Sequence, residues 1–203
     1  DYVRDIGSSM WQILPITPPD SHGSPYASPS AFAAWSSLGQ ADEIDMTEDS
    51  YWLRDWLLFE HLKSKFDGKP WWKWPAEYRD RDSNALAAIE VDDTAQSRFM
   101  GRWNEIREHA KSKGVRIVGD LPIFVGHDSA DVWAHRDLFL LNKNGMPEVV
   151  AGVPPDYFSK KGQKWGTVLY DWDAHRKENW RWWKERMARM MRLFDIVRID
   201  HFR

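Results

Sequence analysis

Three short apolar runs, set apart by long stretches of helical periodicity, constrain this chain more than any other feature. They are Met10 to Ile16 (MWQILPI), Val115 to Leu121 (VRIVGDL) and the closing Val197-Arg198-Ile199-Asp200-His201-Phe202-Arg203. The first ends at Pro15 and the turn cluster Thr17-Pro18-Pro19-Asp20, and the second ends at Pro122, as strands do. Strand, helix, strand, helix, strand is the order of a parallel β/α layer. With a period of two, Arg198 and Asp200 share one face of the last strand, and Val197 and Ile199 share the other. If the apolar face packs on helices, guanidinium and carboxylate point into the interior of a parallel barrel. There the cation favours the ionised aspartate, and an ionised carboxylate is what a covalent nucleophile requires. The same pair also reads as a brace at a strand end. Asp120 lies in line with Val118 and puts a second carboxylate at a second strand's C-terminal end, where it reads equally as a cap on the next turn. Carboxylates at the C-terminal ends of parallel strands are where a (β/α)₈ barrel places its chemistry.

The connections carry their own signals. Ser21 to Trp35 is built of small residues, Gly and Pro, and predicts an ordered loop after the first strand. Trp52, Trp56, Phe59 and Phe66 predict a helix from Thr47 or Asp49 to Phe66, with Gly68 as its stop. Lys69 to Tyr78 reads as a loop with a short turn, and a short helix is expected to begin at Ser83. A longer helix is expected from Asp92 to Lys113, with Ala95, Phe99, Trp103, Ile106 and Ala110 on one stripe and Gly114 as its cap. The fifty residues after Leu121 are too many for an ordinary connection and predict a subdomain-sized excursion, with Asn142-Lys143-Asn144-Gly145 as a turn and 152–166 as a loop. Asp173 is the expected N-cap of a helix from Ala174 to Leu193, whose inward stripe is Trp180, Trp183, Met187 and Met190.

Composition excludes several classes. A net charge of −3 with interspersed signs leaves no nucleic-acid footprint. No run of eighteen apolar residues provides a membrane span, and the absence of cysteine removes disulfides and thiolate metal sites. Fourteen tryptophans suit sugar stacking and helix packing equally, so position must decide between them. Both ends read as cut: residues 1–6 resemble the tail of a helix, and the last strand stops three residues past Asp200. The chain is therefore expected to be a piece of a longer protein, an open partial barrel with uncovered strand edges.

Four ordered motifs carry a family resemblance: WQILPITP with GSPYASPSAF, GVRIVGDLPIFVGHDSADVWAH, AGVPPDYFSKKGQKWG and LFDIVRIDHFR. Together they resemble the amylomaltases, the 4-α-glucanotransferases of the wider α-amylase superfamily, over residues 8–35 and 114–203. The stretch 40–113 matches poorly and is more compact than is usual there. The resemblance implies part of a (β/α)₈ TIM barrel, about three consecutive strands, with inserted subdomains at about 41–91 and 123–172. It implies an enzyme of the cytoplasm, or of the plastid for a plant parent. The substrate is a maltodextrin or other α-1,4-glucan, and neither cofactor, metal, nucleic acid nor membrane is needed. By the same resemblance, Asp200 is the nucleophile that forms a glucosyl ester, Arg198 its charge partner, and His201 a donor to sugar hydroxyls. Asp120 is a sugar-binding carboxylate, and Ser24 and Tyr26 lie near the reacting sugar. Asp156, Phe158 and Trp165 belong to a loop that closes over the acceptor, with Trp165 as the stacking platform. The family's acid/base Glu and its further Asp lie on later strands and match nothing here. By itself the 203-residue chain is thus expected to be inactive.

Plainer readings stand beside these. Tyr26 packs under its loop, Trp71, Trp72 and Trp74 pack in a core, and Lys160, Lys161 and Lys164 form a solvated face. His127 and Asp128 serve as loop hydrogen-bonding groups or, with Asp200 and His201, as metal ligands. Two other functions fit parts of the pattern: an α-amylase-like hydrolase with the same nucleophile, and a non-catalytic carbohydrate-binding module.

Overall fold

The computed structural model describes residues 1–39, 41, 51–155, 157 and 159–201. A short helix α1 (Tyr2–Asp5) leads into a parallel sheet of β1 (Met10–Gln12), β2 (Arg116–Pro122) and β6 (Ile196–Asp200), with β2 in the middle. Ile117 and Leu121 of β2 bury one face of the sheet. They pack against Phe99, Met100 and Trp103 of α5 (Thr94–Ser112) and against Met190 and Leu193 of α8 (Arg181–Leu193), with Phe194 beside them. Gly119 lies between them because a Cβ there would stand 2.2 Å from Phe194 Cδ2. Val197 and Ile199 pack on the same cluster. Alternation therefore turns Val118, Asp120, Arg198 and Asp200 to the opposite face.

The helix α5 stops as its sequence requires. Gly114 adopts φ +69°, and Val115 N–H returns to the Ala110 carbonyl at 2.9 Å. The first strand is shorter and more open than expected. Its pairing covers three residues plus a last rung from Ile13 N–H to the Val118 carbonyl, and Met10 and Trp11 are exposed. The reason is position: β1 is an edge strand, and among the described residues nothing pairs with its outer side.

Between β1 and α5 lie α2 (Leu53–Lys65), α3 (Ala76–Arg79) and α4 (Ser83–Ala87). The expected helix start at Thr47 or Asp49 falls outside the described residues. Asp82 caps α4 by accepting from the N–H groups of Asn84 and Ala85. Between β2 and β6 the chain forms β3 (Val125–Gly126), α6 (Ala130–Ala134), β4 (Val150–Val153), β5 (Gln163–Val168) and α7 (Trp172–Lys177). The order β3-β5-β4 makes a small antiparallel sheet, so the two ends of the stretch expected as a loop, 152–153 and 163–166, are paired strand instead. Both excursions share one core, in which Trp56, Phe59, Trp71 and Trp74 meet Val132, Trp133, Tyr170 and Trp182.

The expected single helix from Ala174 to Leu193 is two. Asp171, not Asp173, caps the first, accepting from Asp173 N–H and Ala174 N–H at 3.0 Å each. The chain then breaks at Asn179 and Trp180, both left-handed at φ +56° and +59°, with Trp180 N–H closed onto the His175 carbonyl at 2.8 Å. The break rotates the second helix, so its buried stripe is Trp182, Arg186, Arg189, Met190 and Leu193; of the expected set Met190 is buried, and Trp183 and Met187 pack only partly buried beside it. Two arginines face inward because backbone carbonyls await them. Arg186 reaches Pro122 and Ile123, and Arg189 reaches Phe32 at 3.2 Å.

Candidate active site

Parallel register explains how three polar side chains converge. Asp120 on β2 lies opposite Arg198 on β6, and Pro122 lies opposite Asp200. Arg198 therefore reaches sideways to one carboxylate and forward along its own strand to the other. Its Nη1 donates to Asp120 Oδ1 at 2.7 Å, and its Nη2 donates to Asp200 Oδ1 at 2.5 Å. The second oxygens are engaged as well: Tyr26 donates its hydroxyl to Asp120 Oδ2 at 2.8 Å, and His201 Nδ1 lies 2.7 Å from Asp200 Oδ2. With a carboxylate as acceptor, His201 carries its proton on Nδ1 in that bond.

One cation between two carboxylates leaves the group net negative. Asp120 is only 2% exposed, whereas the Arg198 side chain is 48% exposed, so water shares the guanidinium and the pair escapes the full desolvation of a buried salt bridge. Asp120 first, and then Asp200, hold the Arg198 guanidinium more firmly protonated than usual. Burial first pushes the Tyr26 phenol up to about 12. The hydrogen bond to Asp120 and the charges of Asp120 and Asp200 add to the rise, and Arg198 opposes it. Tyr26 thus remains a hydroxyl donor throughout the ordinary pH range.

The loop that brings Tyr26 here is built from short local bonds. Asp20 Oδ1 accepts from His22 N–H at 2.8 Å and Ser24 N–H at 2.9 Å, closing a turn. Ser24 Oγ then accepts from Tyr26 N–H at 3.3 Å and caps a single 3₁₀ turn, Pro25–Ala27. This turn lies against Gly126, where a Cβ would meet the Ala27 carbonyl oxygen at 2.8 Å. Further along, Ala31 N–H donates to Asp131 Oδ2 at 2.7 Å, and the Gln96 amide bonds both backbone groups of Ala34. The predicted ordered loop is ordered by these partners.

Above the carboxylates opens a cleft of about 550 Å³ whose lining includes Ser24, Tyr26, Phe124, Trp165, Asp200 and His201. Trp165 meets His201 edge to face, with centroids 4.7 Å apart at 68°. Its indole N–H donates to Gln163 Oε1 at 3.1 Å. Ser24, Tyr26, Trp165, Asp200 and His201 thus reach one cleft, while Asp120 and Arg198 are joined to them through hydrogen bonds. Asp156 and Phe158 lie outside the described residues. His127 and Asp128 are engaged elsewhere. His127 Nε2 lies 2.7 Å from the Gly145 carbonyl oxygen, its ring stacks on Trp72 at 4.1 Å, and Asp128 pairs with Lys63 at 2.7 Å. Among the described residues no group of His, Asp or Glu is disposed to hold a metal ion. Phe124, like Gln163 and Thr167, is a cleft residue that sequence reasoning missed. It sits in an apolar run just past Pro122, and its one available signal was its place two residues beyond a strand end that already carried a carboxylate.

The chain matches the 4-alpha-glucanotransferase family over residues 39–203, including 40–113, where its motifs are weakest. It is 36% identical to the 4-alpha-glucanotransferase of Thermus thermophilus, over 100% of this chain and 52% of that protein. It is 34% identical to the chloroplastic/amyloplastic 4-alpha-glucanotransferase DPE1 of Arabidopsis thaliana, over 100% of this chain and 46% of that protein. Among solved structures, amylomaltase from Streptococcus agalactiae in complex with acarbose superposes with a TM-score of 0.86 at 29% identity, covering 100% of this chain and 54% of that one. The chain spans about half the length of the curated relatives it matches. A match across most of its residues, in the region that contains Asp120, Arg198 and Asp200, makes this chain a member of the 4-alpha-glucanotransferase family.

Proposed function

We propose that the protein carrying this chain transfers α-1,4-glucan segments from a donor maltodextrin to the 4-hydroxyl of an acceptor glucan or glucose by retaining double displacement. The observation that carries this reading is Arg198 bridging Asp120 and Asp200 at the C-terminal ends of adjacent parallel strands, beside a cleft walled by aromatic rings. The sheet is read as three strands of a (β/α)₈ barrel with its polar face inward, and 41–91 and 123–172 as insertions, of which the second supplies Phe124 and Trp165 to the cleft. The cytoplasm, or a plastid in a plant, is the compartment that suits such a substrate.

Chemistry follows from the bonds on Asp200. Its carboxylate attacks the anomeric carbon as the glycosidic oxygen leaves, and the ester formed is resolved by a glucan hydroxyl. Retention requires a carboxylic acid about 5–5.5 Å from the nucleophile. In this family that group is a Glu on a later strand. Arg198 and His201 hold the two Asp200 oxygens, so the nucleophile is oriented before substrate arrives. Asp120 fixes Arg198 from the side and Tyr26 from below, and in this role it acts on the sugar's site as much as on the sugar. Ser24 shapes the loop under the reacting sugar. Trp165 covers the acceptor and excludes water. Product analysis on maltotriose tests the reading: glucose with longer maltodextrins supports transfer. Shorter sugars with rising reducing ends mean a hydrolase, and no product means a binding protein.

A further inference from the structure

The chain leaves β2 at Pro122, the residue in register with Asp200, and two residues later presents Phe124 to the cleft. Its backbone is fixed just before that point. Arg186 Nη2 donates to the Pro122 carbonyl at 2.5 Å and Nη1 to the Ile123 carbonyl at 3.1 Å, while the Tyr170 hydroxyl donates to the same Ile123 carbonyl at 2.5 Å. Arg186 and Tyr170 are buried, so water does not compete for these bonds. The Phe124 ring stacks on Tyr170 at 6.4 Å and 21°, and faces Trp165 at 6.4 Å with the planes tilted by 51°. Half-buried, it is a flat apolar surface with its backbone clamped and one neighbour behind it.

We propose that Phe124 is a sugar-stacking, specificity-determining residue, the fixed half of a continuous aromatic wall that it forms with the adjoining Trp165 ring, taking the apolar face of an α-1,4-linked glucose unit on the acceptor side. The proposal rests on the transferase reading and goes beyond it by naming the residue that favours a glucan over water. A glucose ring presents axial C–H groups that pack on a π face, and a wall already held in place costs little ordering on binding. Leucine fills a similar volume without a flat face, and tyrosine keeps the face. The two substitutions therefore separate stacking from packing.

The experiment uses the whole protein with maltotriose as donor and maltose as acceptor, comparing Phe124→Leu and Phe124→Tyr with wild type. Phe124→Leu is expected to raise the acceptor KM roughly three- to tenfold, to change donor cleavage less, and to increase the share of donor lost to hydrolysis. Phe124→Tyr is expected to stay near wild type in all three. An unchanged acceptor KM in Phe124→Leu would overturn the proposal. So would donor cleavage falling as far as acceptor use, or Phe124→Tyr failing together with Phe124→Leu. If wild type shows no transfer, the function reading fails on its own. The aromatic wall is then judged by maltotriose binding followed through tryptophan fluorescence: weaker binding in Phe124→Leu alone supports it, and equal binding in all three overturns it.

Discussion

Tyr26→Phe removes one oxygen and leaves the ring in place, so it isolates the hydrogen bond that ties the GSPY loop to the sheet. The acceptor, Asp120 Oδ2, belongs to a side chain 2% exposed, and the bond is 2.8 Å long. A bond to a charged group is worth about 1.5–3 kcal/mol. Tyr26 itself is 37% exposed, so water recovers part of the phenol's loss but little of the carboxylate's. The expected destabilisation is about 2 kcal/mol, read as a shift of the urea midpoint of the whole protein. Asp120→Asn and the double variant complete a cycle whose coupling energy should be about 1–2 kcal/mol. The sign of the pH dependence follows from the raised phenol. Its contribution is complete below about pH 10, the unfolded value, and is lost only as pH rises through about 12. The coupling should therefore be the same at neutral pH and in mild alkali. A coupling near zero, or one that fades within that range, would show that the hydroxyl does not bind Asp120 and that the loop is held by its other contacts alone.

Other outcomes follow from single sites. Asp131 is fully buried, and burial raises its carboxyl to about 6 despite the bond from Ala31 N–H. The native state thus keeps a proton that the unfolded chain releases near 4, so stability from this group falls by about 2–3 kcal/mol between pH 4 and 7. Urea titrations of wild type and Asp131→Asn should diverge by that amount across the window, and parallel curves would refute the raised carboxyl. Gly119→Ala places a methyl against the buried Phe194 ring and should cost about 1–3 kcal/mol in thermal unfolding; a neutral result would mean that helix and strand pack less closely than found. Trp165→Ala should raise the acceptor KM by roughly tenfold and slow donor cleavage less, and equal effects on both would count against a place over the acceptor.

The parts of the fold legible in the sequence are those fixed by nearest neighbours. Alternation in VRIVGDL and VRID correctly separates Ile117 and Leu121 from Asp120, and Val197 and Ile199 from Asp200, because a strand's period is set by its own backbone. Gly114 as a helix stop and Ser83 as a helix start are legible for equally local reasons. What failed depended on distant partners. Nothing around Asn179 announces two left-handed residues, since Trp180 is a poor candidate for that conformation. The inward arginines were hidden because Arg186 and Arg189 are buried only when carbonyls of Pro122, Ile123 and Phe32 are near. The hairpin of β4 and β5 was obscured by Gly, Pro and Lys, which read as loop until the strands pair. Within the site, spacing placed Arg198 beside Asp200, but the register that sets it opposite Asp120, and the bond from Tyr26, are tertiary facts. Phe124 escaped notice because a lone aromatic in an apolar run looks like core, and half of it is.

The reading depends above all on Asp200 as the atom donor to the covalent intermediate. Mass spectrometry of the whole protein, digested after quenching with a slowly turned-over α-glucosyl fluoride donor, reads this directly. A hexosyl ester on the peptide that carries Asp200, absent in Asp200→Asn together with all turnover, is the result expected. An active protein whose adduct lies on another peptide, or an Asp200→Asn variant that keeps the wild-type rate, would contradict it.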